Sequence, residues 1–287
     1  MAKQPYPTRL KLEHTSLCNA QCIMCSHYFS NNTQKKMMDD SLEERIAPLL
    51  KHVKRILLQG SGEPLAHPHI ARYIDKYADL GIEVTCNTNL SIMNEALAKA
   101  IGRAFKKIHI SCDGCSSDVF EGIRKGLRFD VFKRNLKLLR ESCPDLKIEM
   151  YTVALRQNIQ QLADIVSFAH DMGCDSIVIT DLNPKDILDN EKDMIRNYPS
   201  VAKTNMSKAV EKAAELSFPI VYPKYILDLN ETSTYQEELE IMERIPLFPS
   251  DDFQKKLQAF YKSLNLDSHS VRANETSFLA DSGYHCN

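Results

Sequence analysis

The 287-residue sequence contains no tryptophan, only 9 glycines and no long apolar run. A membrane-spanning helix needs about 20 mainly apolar residues, so the sequence predicts none. An excess of one charge is also lacking, because 36 lysines and arginines face 38 aspartates and glutamates, for a formal net charge of -2. Chains that bind nucleic acids usually carry a basic patch or stripe. We therefore expect neither a membrane nor a nucleic acid as a partner.

The first residues, MAKQPYPTRLKLEH, lack the apolar core of a signal peptide, and we expect a cytoplasmic location. Cysteines in a reducing compartment are not expected to form disulfides. The sequence nevertheless has 9 of them, and three lie within eight positions. Such a group indicates a metal site or a redox centre.

Short runs rich in β-branched residues alternate with longer amphipathic stretches along the first two thirds of the chain. This rhythm predicts six strands, at 8–13, 54–60, 82–87, 107–112, 147–153 and 175–181. Successive βα units form a parallel sheet, and both open doubly wound sheets and closed or partial barrels fit the pattern. In each of them, functional residues lie at the carboxyl ends of the strands.

The rhythm breaks after Asp181. We expect a helix over SVAKTNMSKAVEKAAELS, a seventh strand at 218–226, helices near 235–244 and 250–264, and a loop over the last twenty residues.

The three close cysteines, Cys18, Cys22 and Cys25 in CNAQCIMC, directly follow the first predicted strand. A structural zinc site needs four ligands, and the obvious candidates for a fourth are His14 and His27. A cubane of iron and sulfide, by contrast, can be held by three thiolates with one iron left open to a ligand. The spacing favours an iron–sulfur centre. A non-catalytic protein that binds zinc or a structural cluster remains the alternative.

CNAQCIMC resembles the CxxxCxxC signature of radical S-adenosylmethionine (radical SAM) enzymes. The resemblance implies one 4Fe-4S cluster held by Cys18, Cys22 and Cys25, with S-adenosylmethionine on the fourth iron and Met24 beside its adenine. It also implies the fold class: α/β, a partial (βα)6 TIM-type barrel with a short C-terminal α/β appendage. The expected domains are a radical SAM core over 1–184 and an appendage over 185–287.

Later strand ends carry further segments similar to this family. GSGEPL resembles its Gly-Gly-Glu-Pro segment, CNTNLS its Thr-Asn-Gly, and HISCDGC with FEGIRKG its Ser-x-Asp-Gly strand end and Tyr-x-x-Ile-Arg segment. By these matches, the residues expected to bind the cofactor, besides Met24, are Gly62, Glu63, Asn89, Ser111 and Arg124.

The resemblance implies a reaction as well. A flavodoxin- or ferredoxin-type protein would reduce the cluster, and cleavage of S-adenosylmethionine would give a 5'-deoxyadenosyl radical that takes a hydrogen atom from a peptide or small polar substrate. The reaction subtype expected is a peptide-modifying oxidoreductase or epimerase. Cys86 and Cys112 lie near strand ends, so either could face the cavity and return a hydrogen atom as a catalytic thiol; a buried, inert thiol is the alternative for both.

The stretch VALRQNIQQLADIVSFAHDMG resembles the subgroup whose members carry a cysteine-rich SPASM extension. The chain ends in SGYHCN, where such an extension would begin. We therefore expect a single cluster per chain and a mobile, exposed Cys286. Asn158 is expected to be a helix cap.

Overall fold

The computed structural model describes residues 6–25, 36–183 and 190–248. Seven strands form one parallel sheet in the order β1-β3-β4-β5-β7-β8-β9. They are β1 (Arg9–Leu12), β3 (Arg55–Leu58), β4 (Glu83–Thr88), β5 (Lys107–Ser111), β7 (Lys147–Ala154), β8 (Ser176–Asp181) and β9 (Ile220–Val221).

Helices connect the strands. They are α1 (Asp40–Leu50), α2 (Ile70–Asp79), α3 (Glu95–Ala104), α4 (Ser117–Ile123), α5 (Phe129–Ser142), α6 (Leu162–Asp171), α7 (Pro199–Glu215) and α8 (Tyr235–Arg244). None of the helices in the described ranges combines the length and apolarity needed to cross a bilayer.

The predicted α/β fold is confirmed, and all six expected strands lie within about two residues of their predicted bounds. The seventh strand is much shorter than predicted. Only Ile220 and Val221 pair, and a 3₁₀ helix begins at Lys224. Pro219 and Pro223 flank the pair, and proline cannot donate to a strand ladder. The helix expected near 235–244 is confirmed as α8; that near 250–264 lies outside the described residues.

The two faces of the sheet differ in side-chain chemistry. Alternate residues on the outer face are almost fully buried against the helices, with which they form one large apolar core. They include Ile56, Leu58, Val84, Cys86, Ile108, Ile110, Ile148, Met150, Ile177 and Ile179. The residues between them form the inner face and are half-buried. They include Leu57, Glu83, Thr85, Asn87, Lys107, His109, Ser111, Glu149, Tyr151, Val153, Val178 and Thr180.

A second, two-stranded sheet joins distant parts of the chain. Strand β2 (Gln21–Cys22) pairs antiparallel with β6 (Arg124–Lys125), so that Cys22 lies opposite Arg124. Two-residue strands carry no alternating pattern, so they could not be predicted from the sequence. This pairing fixes the cysteine segment against the end of α4.

The proposed domain boundary at 184 falls in 184–189, outside the described residues. Beyond it, β9 adds to the edge of the same sheet by pairing with β8. The division into a core and an appendage therefore stays a prediction.

Candidate active site

Cys18, Cys22 and Cys25 lie at the carboxyl edge of the sheet, on the segment that follows β1. All three are half-buried and free of disulfides, and the Cys25 amide donates to the Cys22 carbonyl at 3.0 Å to close a turn. In the described ranges no three His, Cys, Asp or Glu side chains stand in metal-binding geometry. A cluster bound by these thiols would therefore draw them together. Soft thiolates are the ligands that iron–sulfur clusters take, so the donor set fits.

Burial makes the thiols of Cys18 and Cys22 reluctant to ionise alone. It raises the pKa of Cys22 to about 12, and the positive charge of Arg124 is the main opposing influence. Burial also raises the pKa of Cys18. Because metal ligation requires the thiolate, iron has to displace these protons when a cluster forms.

The GSGEPL segment packs directly against the cysteine segment. A Cβ atom at Gly62 would overlap the backbone carbonyl oxygens of Thr15 and Leu17, so no other residue fits there without backbone movement. The next amide, that of Glu63, donates to the Leu17 carbonyl at 2.7 Å. The glycine thus permits a backbone contact that sets the position of the residue just before Cys18.

The Glu63 carboxylate links the ends of β3 and β4. It accepts hydrogen bonds from the Thr88 hydroxyl (2.6 Å), the Asn89 amide (2.7 Å) and the Leu65 amide (3.1 Å). Its surface is only 4% exposed. Burial raises the pKa of Glu63, while the hydrogen bonds from Asn89 and Thr88 oppose the shift. In this arrangement, the carboxylate holds the two strand ends in place.

Asn89 continues this link to the cysteine segment. Its side-chain amide donates to Asn19 Oδ1 at 3.1 Å, and Asn19 in turn donates to the Ser91 hydroxyl at 2.8 Å. The next residue, Leu90, is fully buried and has a φ of 55°. This is the left-handed region that usually favours glycine, and it coincides with the position where the similar family segment has glycine.

Arg124 lies opposite Cys22 in the β2–β6 pairing, and its side chain is 9% exposed. Its Nη2 atom forms an ion pair with Asp113 Oδ2 at 2.6 Å, and the Asp113 side chain is 0% exposed. Its Nη1 atom lies 3.8 Å from Cys22 Sγ. The guanidinium therefore bridges a buried carboxylate and a cluster cysteine, and it places positive charge where a thiolate would form.

Met24 lies within the cysteine segment, between Cys22 and Cys25, whereas Ser111 lies at the end of a sheet strand. Met24 packs against a second apolar cluster that contains residues at the ends of β7 and β8. Its buried members are Ile23, Val119, Ile123, Leu155, Leu182 and Met194. This apolar surface suits a flat heterocycle. Ser111 ends β5 on the inner face and is half-buried.

Cys86 and Cys112 do not face the inner cavity. Both are 0% exposed and belong to the outer-face core. The Cys112 thiol contacts the Gly114 carbonyl at 3.3 Å, and burial raises the pKa of Cys86 well above its usual value. Their neighbours Asn87 and Ser111 occupy the inner face instead. This orientation corrects the expectation that either thiol faces the cavity, and it does not support a catalytic role.

The structure also shows contacts of Asn158 and Asp113 that were not predicted from the sequence. Asn158 occupies the N-cap position of the 3₁₀ helix Ile159–Gln161 but makes no side-chain capping hydrogen bond; it is fully buried, and its side-chain amide donates to the carbonyls of Asp113 (3.0 Å) and Val153 (2.9 Å). Asp113 also accepts from the Val153 amide at 2.8 Å. The one feature of the sequence that could have indicated this role is the position of Asp113, a carboxylate that comes just after a buried strand.

Cys286, which was expected to be mobile and exposed, lies outside the described residues.

The family model of the radical SAM superfamily matches residues 12–169, which is more than half of the chain. The chain therefore belongs to the radical SAM superfamily. The matched range contains the cysteine segment and the ends of β1, β3, β4, β5 and β7.

Proteins similar to this chain have names that state different activities. The chain is 27% identical to the mycofactocin maturase MftC of Mycolicibacterium smegmatis over 180 residues, 62% of this chain and 45% of the maturase. It is 29% identical to a GTP 3',8-cyclase of Rhizobium etli over 195 residues, 65% of this chain and 55% of the cyclase.

The fold is also that of SuiB from Streptococcus suis. The structure of SuiB bound to S-adenosylmethionine aligns with a TM-score of 0.59 at 16% identity and covers 81% of this chain and 55% of SuiB. SuiB bound to precursor peptide SuiA gives a TM-score of 0.58 at 16% identity, covering 76% of this chain and 49% of SuiB. The chain thus spans about half the length of these relatives.

Proposed function

We propose that this chain reductively cleaves S-adenosylmethionine at one 4Fe-4S cluster held by Cys18, Cys22 and Cys25 and removes a hydrogen atom from a peptide or small polar substrate. The observation that supports it most is the bonding around the cysteine segment. Glu63 and Asn89 bond to this segment from two neighbouring strand ends, and Arg124 contacts Cys22. A cluster held there by the three cysteines, with S-adenosylmethionine bound, would supply a 5'-deoxyadenosyl radical.

The chain's residues bind and orient the cofactor in this proposal. Met24 offers an apolar contact for the adenine, while Gly62, Glu63, Asn89, Ser111 and Arg124 lie at the strand ends around the amino acid part. A charged or polar group at the amino acid end adds a charge-assisted hydrogen bond. Glu63→Gln and Arg124→Lys are expected to raise the dissociation constant for S-adenosylmethionine by about ten- to a hundredfold. Unchanged binding in both variants would assign these residues to support of the fold.

The alternative is a zinc protein in which His14 is the fourth ligand, and the surroundings of His14 give it little support. This candidate fourth ligand is 1% exposed, and its Nε2 atom is hydrogen-bonded to the Tyr77 hydroxyl at 2.9 Å. Burial lowers the pKa of His14 to about 4. The other candidate, His27, lies outside the described residues.

The names of two of the similar proteins indicate two different substrate classes, a peptide and a nucleotide. SuiB is bound to a precursor peptide, and the Rhizobium relative is a GTP 3',8-cyclase. We propose a peptide substrate, a SPASM-type kinship, a flavodoxin- or ferredoxin-type electron donor and a cytoplasmic location. The modified position and the reaction subtype are left to experiment.

The test begins with anaerobic reconstitution. Wild-type protein is expected to be brown, to bleach with dithionite, to carry about four irons per chain and to form 5'-deoxyadenosine from S-adenosylmethionine. Cys22→Ala should lose the iron and the product. Cys115→Ala is the matched control, because this half-buried thiol contacts Gln161 and stands apart from the cysteine segment.

Two results would contradict the proposal. One is 5'-deoxyadenosine formation by Cys22→Ala at the wild-type rate. The other is a colourless protein that contains one equivalent of zinc, which would favour the non-catalytic alternative.

A further inference from the structure

Phe248 packs against the second apolar cluster, the same cluster that Met24 contacts. This cluster stands at the carboxyl edge of the sheet, where its members Leu155 and Leu182 directly follow β7 and β8. Phe248 is half-buried, so part of its side chain stays exposed beside the cluster. An aromatic ring from the segment after α8 therefore lies at the apolar surface that the proposed function assigns to adenine.

The ring of Phe248 lies on a glycine of helix α4. A Cβ atom at Gly122 would overlap the ring, whose atoms are its three nearest neighbours. Glycine inside a helix is less favourable than alanine, yet a methyl group at this position would push the ring away. Gly122 therefore permits a close contact between α4 and Phe248 that every other residue type would prevent.

Arg156 holds the backbone that leads to Phe248. The Arg156 side chain is only 2% exposed. It donates to the carbonyl oxygens of Met242, Ile245 and Pro246 at 3.2, 3.2 and 2.7 Å. If this backbone moved away, a buried guanidinium would lose three acceptors, which is strongly unfavourable. The segment at 245–248 is therefore tied to the residues that follow β7.

We propose that Phe248 forms one wall of the binding site for the adenine of S-adenosylmethionine, alongside Met24. This rests on the proposed function, since it adds a residue to the cofactor site named there. Two aromatic rings that pack together gain binding free energy beyond the apolar area that they bury. A ring that blocked the adenine would have to move aside at each binding event. The hydrogen bonds of Arg156 oppose such a movement of the backbone, and they favour a fixed wall.

The first measurement is the binding of S-adenosylmethionine to the reconstituted holoenzyme, by equilibrium dialysis without reductant so that the cofactor stays intact. Phe248→Ala should raise the dissociation constant about tenfold through the loss of one aromatic contact, with the iron content of wild type. Leu247→Ala is the matched control, because the neighbouring Leu247 side chain is 48% exposed. It should bind the cofactor as wild type does.

Gly122→Ala tests the same contact without removing the ring. The added methyl group displaces Phe248 and should also raise the dissociation constant about tenfold, although alanine is the better helix former. In the Phe248→Ala background the methyl group meets no ring, so the same substitution should change the dissociation constant less than about twofold. This lack of additivity distinguishes the contact from a general loss of stability.

A fluorescent variant gives a third measurement. The chain contains no tryptophan, so Phe248→Trp introduces a single indole at the proposed wall. Saturating S-adenosylmethionine should quench or shift its emission, whereas Leu247→Trp should respond little. This measurement decides the question even if Phe248→Ala does not fold.

The outcomes separate this inference from the proposed function. If the wild-type protein holds no iron or does not bind S-adenosylmethionine, the proposed function fails and this inference fails with it. If wild type binds the cofactor and Phe248→Ala binds it equally or more tightly, the proposed function stands and the wall is overturned. Additive effects of Gly122→Ala and Phe248→Ala, or an unchanged emission of Phe248→Trp, overturn it as well.

Discussion

The two faces of the parallel sheet differ in burial and in the polarity of their side chains. On the outer face, side chains such as Ile56, Ile110 and Ile148 are fully buried against helices. On the inner face, polar residues such as Asn87, His109 and Glu149 stay half-exposed and bond to one another across strands. Burial of apolar area provides most of the stability of a domain. The outer face therefore maintains the fold, which leaves the inner face free to hold polar groups for binding.

The carboxyl edge, where both faces end, combines these two kinds of chemistry. Arg124 and Asp113 form a nearly buried ion pair there, directly beside Cys22. Mutations on each face and at this edge should therefore differ in what they damage.

The largest expected effect on stability follows from breaking the buried ion pair. Arg124→Gln leaves the carboxylate of Asp113 buried and unpaired, so it should lower the free energy of unfolding by about 3–5 kcal/mol in urea denaturation. The control is Arg128→Gln, whose side chain is 67% exposed and pairs with Glu121 and Asp130; it should cost no more than about 1 kcal/mol.

A double variant refines this test. Adding Asp113→Asn to Arg124→Gln removes the unpaired charge and should recover part of the lost stability. If Arg124→Gln costs no more than Arg128→Gln, the pair does not have the energetic role assigned to it.

A smaller difference is expected between the two faces themselves. Ile110→Ala on the outer face creates a cavity in the core and should cost about 2–5 kcal/mol. Val178→Ala on the inner face removes a half-buried side chain and should cost about 1 kcal/mol. Equal urea midpoints for the two variants would argue against the division of the sheet into a packed and an open face.

The pH dependence of stability should depend on His14, which is buried on the helix side. Its pKa is lowered to about 4 from 6.5, chiefly by burial. A lowered pKa means that the unfolded state binds the proton first, so stability present above pH 6.5 is lost as the pH falls towards 4. Between pH 7 and pH 5, wild type should lose about 2 kcal/mol more than His14→Gln. Parallel unfolding curves for both proteins over this interval would contradict the assignment.

The smallest effect expected concerns the backbone at Leu90. Both Leu90→Ala and Leu90→Gly remove the buried side chain, but only glycine accepts a φ of 55° without strain. The glycine variant should therefore be more stable than the alanine variant by about 1 kcal/mol, the reverse of the order in ordinary strands and helices. Thermal unfolding of the two variants measures this difference directly.

Much of the fold was predictable because it rests on local patterns. Runs such as IEVTCN and KIHISC alternate strand-forming residues, and the helices between them carry one apolar stripe each. The cysteine spacing predicted the site for the same reason, since Cys18, Cys22 and Cys25 are neighbours in the sequence. The orientation of Cys86 and Cys112 was not predictable, because a shift of one residue along a strand moves a side chain to the other face.

By itself, the sequence determined that the chain forms a parallel α/β sheet with a cysteine segment after its first strand. Only the tertiary structure decided that Arg124 lies against Cys22 and that Asn87, His109 and Glu149 meet on the inner face. These contacts join residues that are 102 positions apart in one case and 22 in another. Hydrogen bonds and ion pairs of this kind leave no periodic trace in the chain, since their partners come together only when the strands align in register.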